Sequence, residues 1–191
     1  MLHTSRLTLR RLESDDLPAL RAILQDPLAM VAYEGVFSDA ECVEWLERQQ
    51  RRYADNGMGL QAVLRDGEMI GQCGITLQQV EDDEVTEVGY LFRRDTWHRG
   101  YAVEAASACR DWAFETLGVP EVYAKVRDTN IPSMNVAIRL GMTVRRRFVT
   151  RYRGVDMPHY AFAIDRTSWE RRLRRLHTRA APPTRHEPRS D

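Results

Sequence analysis

The chain predicts an α/β fold of the α+β type: a mixed, mostly antiparallel twisted sheet of about seven strands flanked by about four helices. Three observations carry this. Short runs of alternating apolar residues recur along the chain, an Asp66-Gly67 turn separates two of them, and helical patterns interleave with strands only in the second half. The expected order is β-α-α-β-β-β-α-β-α-β-β, too few crossover helices for a wholly parallel sheet.

Taken in order, "RLTLRRL" (6–12) alternates with Leu7 and Leu9 on one face and reads as the first strand. Ser14 is expected to cap a short helix with Asp15 and Asp16 in its first turn. Ser38 and Glu41 stand in capping-box spacing at the start of a longer helix, whose buried face would carry Cys42, Leu46, Gln49 and Tyr53 and which Gly57 would stop. "LQAVLRDGEMIGQCGITL" then forms a hairpin, "EDDE" a polar connection, and "VTEVGYLF" a fourth strand ending near Phe92.

A helix from about Gly100 to Leu117 places Ala102, Ala105, Ala106, Cys109 and Ala113 on one side, small enough to lie close on a sheet. "EVYAKV" reads as a fifth strand. "NIPSMNVAIRLG" follows as a helix with Pro132 in its first turn and Gly141 at its end. "TVRRRFVTRYRGVDMPHYAFAI" closes residues 1–166, a single domain, as two strands around Gly154. Residues 167–177 are expected as a helical extension anchored by Trp169, Leu173 and Leu176. Residues 178–191, with paired prolines and no apolar period, are expected as a disordered tail.

Composition narrows the function. With 28 Lys plus Arg against 28 Asp plus Glu, no net basic field draws nucleic acid, and any anion must be bound locally. Cys42, Cys73 and Cys109 are widely spaced, with neither a CxxC nor histidine pairing, so no disulfide framework and no metal site is expected. Each reads as a small buried apolar residue. "MLHTSRLTLRRL" has no signal-peptide pattern and no run reaches membrane-spanning length, so a cytoplasmic protein without a membrane partner is expected.

The crowded stretch "RDTWHRGYAVEAASACRDWAF" (94–114) raises a chemical question. A loop entering a helix leaves backbone N–H groups unpaired at the positive end of the helix dipole, and these make an anion site from any residue types. Gly100 would let backbone and phosphate approach closely, with Arg93, Arg94 and Arg99 nearby as charge partners.

Three motifs in order, with the "SxRLxLRxL" start, resemble the GNAT N-acetyltransferases, specifically their RimJ/RimL-like branch. The family pattern E-(I/V)-G-Y is met by Glu87, Gly89 and Tyr90. W-x-(K/R)-G-Y-A-x-E-A is met by Trp97, Arg99, Gly100, Tyr101, Ala102, Glu104 and Ala105. N-x-x-S-x-x-x-x-x-(K/R)-x-G-(F/M) is met by Asn130, Ser133, Arg139, Gly141 and Met142. The resemblance spans roughly residues 5–165. It departs at His98, where the family usually carries glycine; the bland reading of His98 is a solvated loop histidine.

The resemblance implies direct transfer of an acetyl group from acetyl-CoA to a primary amine in a ternary complex, with no metal. It implies that Tyr90, Leu91 and Phe92 run along the pantetheine arm through their backbones, and that Trp97, His98, Arg99, Gly100, Tyr101 and Ala102 form the pyrophosphate loop. Asn130 would contact the pantetheine, or serve simply as a helix cap. Ser133 would orient the thiol or protonate the leaving thiolate, or likewise cap. Glu87 is the candidate general base, because a strand carboxylate among apolar residues is costly to bury without a role; an ion pair with an arginine is the alternative. Tyr33, Glu34 and Phe37, with Tyr152 and Tyr160, would border the amine.

The acceptor is left open between a protein N-terminus and a small molecule, as is the acyl group between acetyl and a larger one such as succinyl. A homodimer is compatible with the sequence. The competing class is a non-catalytic acyl-CoA-binding regulatory module. A nucleic-acid reading rests only on the Arg171–Arg175 cluster.

Overall fold

The computed structural model describes residues 1–180, with side chains to Arg175. Leu176 and residues 181–191, expected as an anchor and as part of a disordered tail, lie outside the described side chains and residues respectively.

One eight-stranded sheet, in the order β1-β2-β3-β4-β5-β6-β8-β7, organises the chain. Its strands are β1 (Leu2–His3), β2 (Thr8–Arg11), β3 (Leu60–Arg65), β4 (Glu68–Val80), β5 (Asp83–Phe92), β6 (Glu121–Arg127), β7 (Thr143–Tyr152) and β8 (Val155–Asp165). All neighbours pair antiparallel except β5 and β6. The strand beyond the seven expected is β1, a two-residue edge pairing Leu2 with Leu9, too short to show a period.

Five helices cover the sheet: α1 (Leu17–Leu24), α2 (Asp39–Asn56), α3 (Tyr101–Trp112), α4 (Ile131–Arg139) and α5 (Arg166–Ala180). Caps decide most of their limits. Ser38 Oγ accepts from the Glu41 amide while Glu41 returns a bond to the Ser38 amide, and Gly57 ends α2 at φ +71°. Cys42, Trp45, Leu46, Gln49 and Tyr53 form its buried face. Pro132 lies in the first turn of α4, which Gly141 follows at φ +85°. α3 continues past Trp112 as a π-helical turn over Ala113–Leu117 before Gly118 stops it.

Three expectations are corrected. Ser14 does not cap α1; it lies inside a 3₁₀ turn over Ser14–Asp16, where Asp16 Oδ2 accepts the Glu13 amide at 2.8 Å and also binds Arg10. "EDDE" is not a free connection: β4 runs to Val80 and β5 resumes at Asp83, with Glu81 at φ +55° tightening the turn. The terminal helix extends from Arg166 to Ala180, beyond the expected 167–177. Trp169 anchors it, stacking on Phe114 at 4.8 Å and donating its indole N–H to Asp111.

The two faces of the sheet bury different cores. One core joins α3, α4 and Trp169 to Leu9, Val63, Cys73, Ile75, Val88, Val122, Ala124 and Val126. Ala105, Ala106, Cys109 and Ala113 are all buried there, so α3 lies close enough for Cys109 Sγ to sit 3.7 Å from Cys73 Sγ. The second core packs α1 and α2 over β3 and β4, through Leu20, Ile23, Cys42, Trp45, Tyr53 and Ala62. Close packing recurs at Gly74, where a Cβ would collide with the Gly59 carbonyl oxygen and lie 2.9 Å from Leu60 Cα.

Candidate active site

β5 and β6 run parallel, and a single register pair, Glu87 with Tyr123, joins them. Beyond it the strands part. Ladder partners are lost along the facing edges, and buried backbone donors need substitutes. Glu87 supplies one: its Oε1 accepts the Lys125 amide at 3.1 Å, a side chain standing where a neighbouring carbonyl would be. The Tyr90 hydroxyl crosses the gap and donates to the Ser133 carbonyl at 2.9 Å. Tyr90, Leu91 and Phe92 therefore line one wall through β5, and Ser133 with Asn130 lies opposite on α4.

The gap leads to the start of α3. His98 at φ +60° and Gly100 at φ +81° are both left-handed, so the chain turns sharply before the helix. The first helical bond runs from the Glu104 amide to the Gly100 carbonyl. The amides of Tyr101, Ala102 and Val103 ahead of it point out of the helix end, a ready anion seat. The left-handed backbone at His98 explains why glycine suits that position.

A scaffold behind the loop holds it. The Trp97 indole donates to the Phe92 carbonyl at 2.9 Å, and Arg6 donates to the Arg99 carbonyl at 3.1 Å. The Tyr101 ring is buried between the Arg6 and Arg65 guanidiniums, 4.7 and 5.3 Å from its centroid, so only its amide faces the seat. Two expected charge partners are engaged elsewhere: Arg93 binds Glu68 and Asp95, and Arg94 binds Asp26. Arg99 is exposed and forms no ion pair among the described residues.

Asn130 caps α4, its Oδ1 accepting the Ser133 amide at 3.2 Å. Ser133 is half-buried, and its hydroxyl has no hydrogen-bond partner among the described residues.

Glu87 shares its sheet face with Thr76, its β4 partner, and with Tyr123. This face is covered by α1 and α2 on one side of Glu87; on the other, Tyr123 packs against Val80, Val85, Phe148 and Ala161. Burial pushes the Glu87 carboxyl above its ordinary value, opposed by the positive charges of Lys125 and Arg52 and by the Lys125 amide. No arginine lies within ion-pair distance of it among the described residues. Tyr33 is close enough to feel that charge; burial first, then Glu87, push its hydroxyl up to about 12.

The connection carrying Tyr33 is clamped down. The Tyr33 ring packs edge-on against Trp45 at 6.2 Å and Phe37 at 6.3 Å, and Phe37 itself is core, 6% exposed. Glu34 pairs with Arg127, which also donates to the Val31 carbonyl. Arg153, at the β7–β8 turn, straps the hairpin across this connection: it binds Glu41, donates to the Glu34 and Val36 carbonyls, and lies over the Phe37 and Tyr152 rings. Tyr152 thus stands at the rim. Tyr160 does not join the site; it pairs with Val126 on the opposite face and packs against Phe162.

Sequence reasoning missed Arg48, Arg52, Lys125, Arg127 and Arg153. Each is an unremarkable surface-type residue in its local context, and only the tertiary fold brings Lys125 and Arg52 toward Glu87, sets Arg48 on Trp45, and sets Arg127 and Arg153 against the connection that carries Tyr33. No cluster of three or more potential metal ligands exists among the described residues, and no described helix is long and apolar enough to cross a membrane.

Comparison with known proteins agrees with this geometry. Residues 6–143 match the model of the acetyltransferase (GNAT) domain. An uncharacterized protein, YkkB, of Bacillus subtilis strain 168 is 38% identical over 144 residues, covering 74% of this chain and 84% of its own. The crystal structure of an acetyltransferase from Agrobacterium tumefaciens C58 superposes with a TM-score of 0.73 at 32% identity, covering 86% of this chain and 94% of that one. A spermidine N-acetyltransferase from Vibrio cholerae, solved with CoA and spermine, shares the fold at a TM-score of 0.70 and 18% identity over 87% of this chain and 99% of that one. The divided sheet, the glycine-led start of α3 and the match over most of the chain make it a member of the GNAT acetyltransferase family.

Proposed function

We propose that the protein transfers an acetyl group from acetyl-CoA to the primary amine of a small molecule, by direct attack in a ternary complex, as an enzyme of the RimJ/RimL-like branch. The observation that carries this is Glu87. It is a carboxylate raised in pKa by burial, fixed by the Lys125 amide at the point where β5 and β6 separate. One side of it is the groove between the strands; the other is the rim formed by Tyr33, Tyr152 and Arg153.

The residues fit acetyl-CoA. The edge of Tyr90–Phe92 suits the amides of a pantetheine arm, and the amides of Tyr101–Val103 behind Gly100 suit a pyrophosphate. Glu87 takes a proton from the acceptor ammonium, directly or through water. The freed amine attacks the thioester carbonyl carbon; a C–N bond forms, the C–S bond breaks, and the second proton, shed by the attacking nitrogen, passes by way of the Ser133 hydroxyl to the leaving thiolate. The clamps from Arg153 to Glu41 and from Arg127 to Glu34 favour a small acceptor over a protein N-terminus, which would need an open groove.

Incubation with acetyl-CoA and a panel of small amines, reading thiol release, tests the proposal. Acceptor-dependent release is expected. Tight CoA binding with no turnover of any amine or peptide would favour a non-catalytic acyl-CoA-binding module instead.

A further inference from the structure

Among the described residues three cations, Arg48, Arg52 and Lys125, form no ion pair, and the charges of Arg52 and Lys125 reach Glu87. Arg48 and Arg52 lie one turn apart on the flank of α2 that faces the β7–β8 hairpin, the same flank that carries Glu41 and Trp45. The Arg48 guanidinium rests 4.6 Å over the Trp45 ring, which also packs edge-on against Tyr33 and Phe37. Arg52 is half-buried, and its only described partner is the Gln49 side-chain oxygen at 3.3 Å. Lys125 projects from the sheet on the same face, its Nζ meeting only neutral oxygens, Gln78 Oε1 at 3.4 Å and the Gln79 carbonyl at 3.2 Å. Two carboxylates at the rim, Glu34 and Glu41, are bound to Arg127 and Arg153.

Glu87 alone does not balance this set. A half-buried guanidinium that has given up water for one neutral acceptor, beside a second guanidinium, gains most from an incoming anion. The arrangement does not suit a polyamine, whose second ammonium would meet the like charges of Arg48 and Arg52. Resting on the transferase reading above, we propose that the acceptor is a small amine that also bears an anionic group, a carboxylate in the manner of an amino acid, which Arg48 and Arg52 bind while Glu87 receives the ammonium. Arg52 is then a specificity-determining residue and Trp45 the platform that positions Arg48.

Matched acceptors test it. Glycine, methionine, phenylalanine and histidine are compared with their C-terminal amides and with spermidine, in acetyl-CoA-dependent thiol release. The acids are expected to exceed their amides at least ten-fold in kcat/KM, chiefly through KM, and spermidine to be poorest. Arg52→Gln should move the acid-to-amide ratio toward one, and Arg52→Lys should restore part of it. If Arg52 only tunes Glu87, Arg52→Gln shifts the pH profile and leaves the ratio intact, which overturns the proposal. So does any result in which amides or spermidine match the acids.

Binding keeps the test independent of turnover. By calorimetry, CoA-loaded protein should take N-acetylphenylalanine or N-acetylglycine at least ten-fold more tightly than the corresponding N-acetyl amide. Equal or absent binding with CoA bound refutes the anionic acceptor while leaving the transferase reading standing. Failure to bind CoA removes both.

Discussion

The Arg6 guanidinium meets the Glu104 carboxylate at 2.6 Å, joining the loop before β2 to the first turn of α3. Glu104 also accepts from the Thr4 hydroxyl, the Ser5 hydroxyl and the Arg6 amide, while Arg6 reaches on to the Arg99 carbonyl. Two motifs far apart in sequence are therefore one structural unit, and the loop that seats an anion is braced from behind by the chain's beginning.

Replacing Glu104 by alanine is expected to cost about 2 kcal/mol, since several charge-assisted hydrogen bonds to a mostly buried carboxylate are lost. CoA affinity should fall with it. Burial alone would raise the Glu104 pKa, but hydrogen bonds from Thr4 and Arg6 outweigh it and hold it below the ordinary value. A depressed folded pKa gives stability that is present above the unfolded value and lost as pH falls through the folded one. Acid melting curves should therefore converge for wild type and Glu104→Ala, and a gap that persists below the folded pKa would contradict this account.

Glu87→Gln preserves shape and can still accept the Lys125 amide. Turnover should fall about 10²- to 10⁴-fold with little change in CoA affinity. Because burial raises the Glu87 pKa, ionising it costs stability, a cost that appears as pH rises through the folded value. The variant should thus melt no lower than wild type at neutral pH. A lower melting temperature with unchanged kcat would instead identify a purely structural acid.

At the loop, His98→Gly and Gly100→Val should act in opposite directions. A non-glycine residue at φ +60° carries strain, so His98→Gly should stabilise by up to about 1 kcal/mol after its own entropy cost. Gly100→Val puts a β-branched residue at φ +81° in the anion seat and should weaken CoA binding at least ten-fold. Thermal melts and CoA titration of the two variants check both.

Gly74→Ala should destabilise by about 3 kcal/mol or more, because the new methyl meets backbone of β3 rather than a side chain able to move aside. Urea unfolding measures it; a change below about 0.5 kcal/mol would mean that β3 and β4 adjust freely.

Local chemistry was legible where one residue decides the outcome. Ser38 with Glu41, Asn130 with Ser133, and Gly57 and Gly141 each mark a helix limit that the structure keeps. The Gly100 loop was legible too, since a backbone turn that must approach a phosphate closely favours glycine. What escaped depends on distance. Leu2–His3 forms a strand only because Leu9 and Thr8 are already paired elsewhere. Asp16 overrides Ser14 because Arg10 reaches back to it. The cations that act on Glu87 come from α2 and β6, Arg52 and Lys125, and no spacing in the chain reports that convergence. Tyr160 was assigned to the wrong face, because an alternating strand names two faces without saying which one meets the site.

The lone backbone pairing between β5 and β6 has a mechanical consequence. Side chains bridge it on both faces: on the α3 side one core spans both parts of the sheet, and on the other Val80 and Val85 of β4 and β5 pack with Phe148 and Ala161 of β7 and β8. The seam is therefore a break in backbone pairing alone, bridged by side chains on both faces, and the amides along its two edges are able to open without the rest of the sheet. A molecule lying along the seam, donating and accepting as a strand would, acts as a splint. Its binding energy appears not only as affinity but as rigidity of the two edges, so amide exchange at Gly89–Leu91 and Lys125–Arg127 should slow together when the seam is filled.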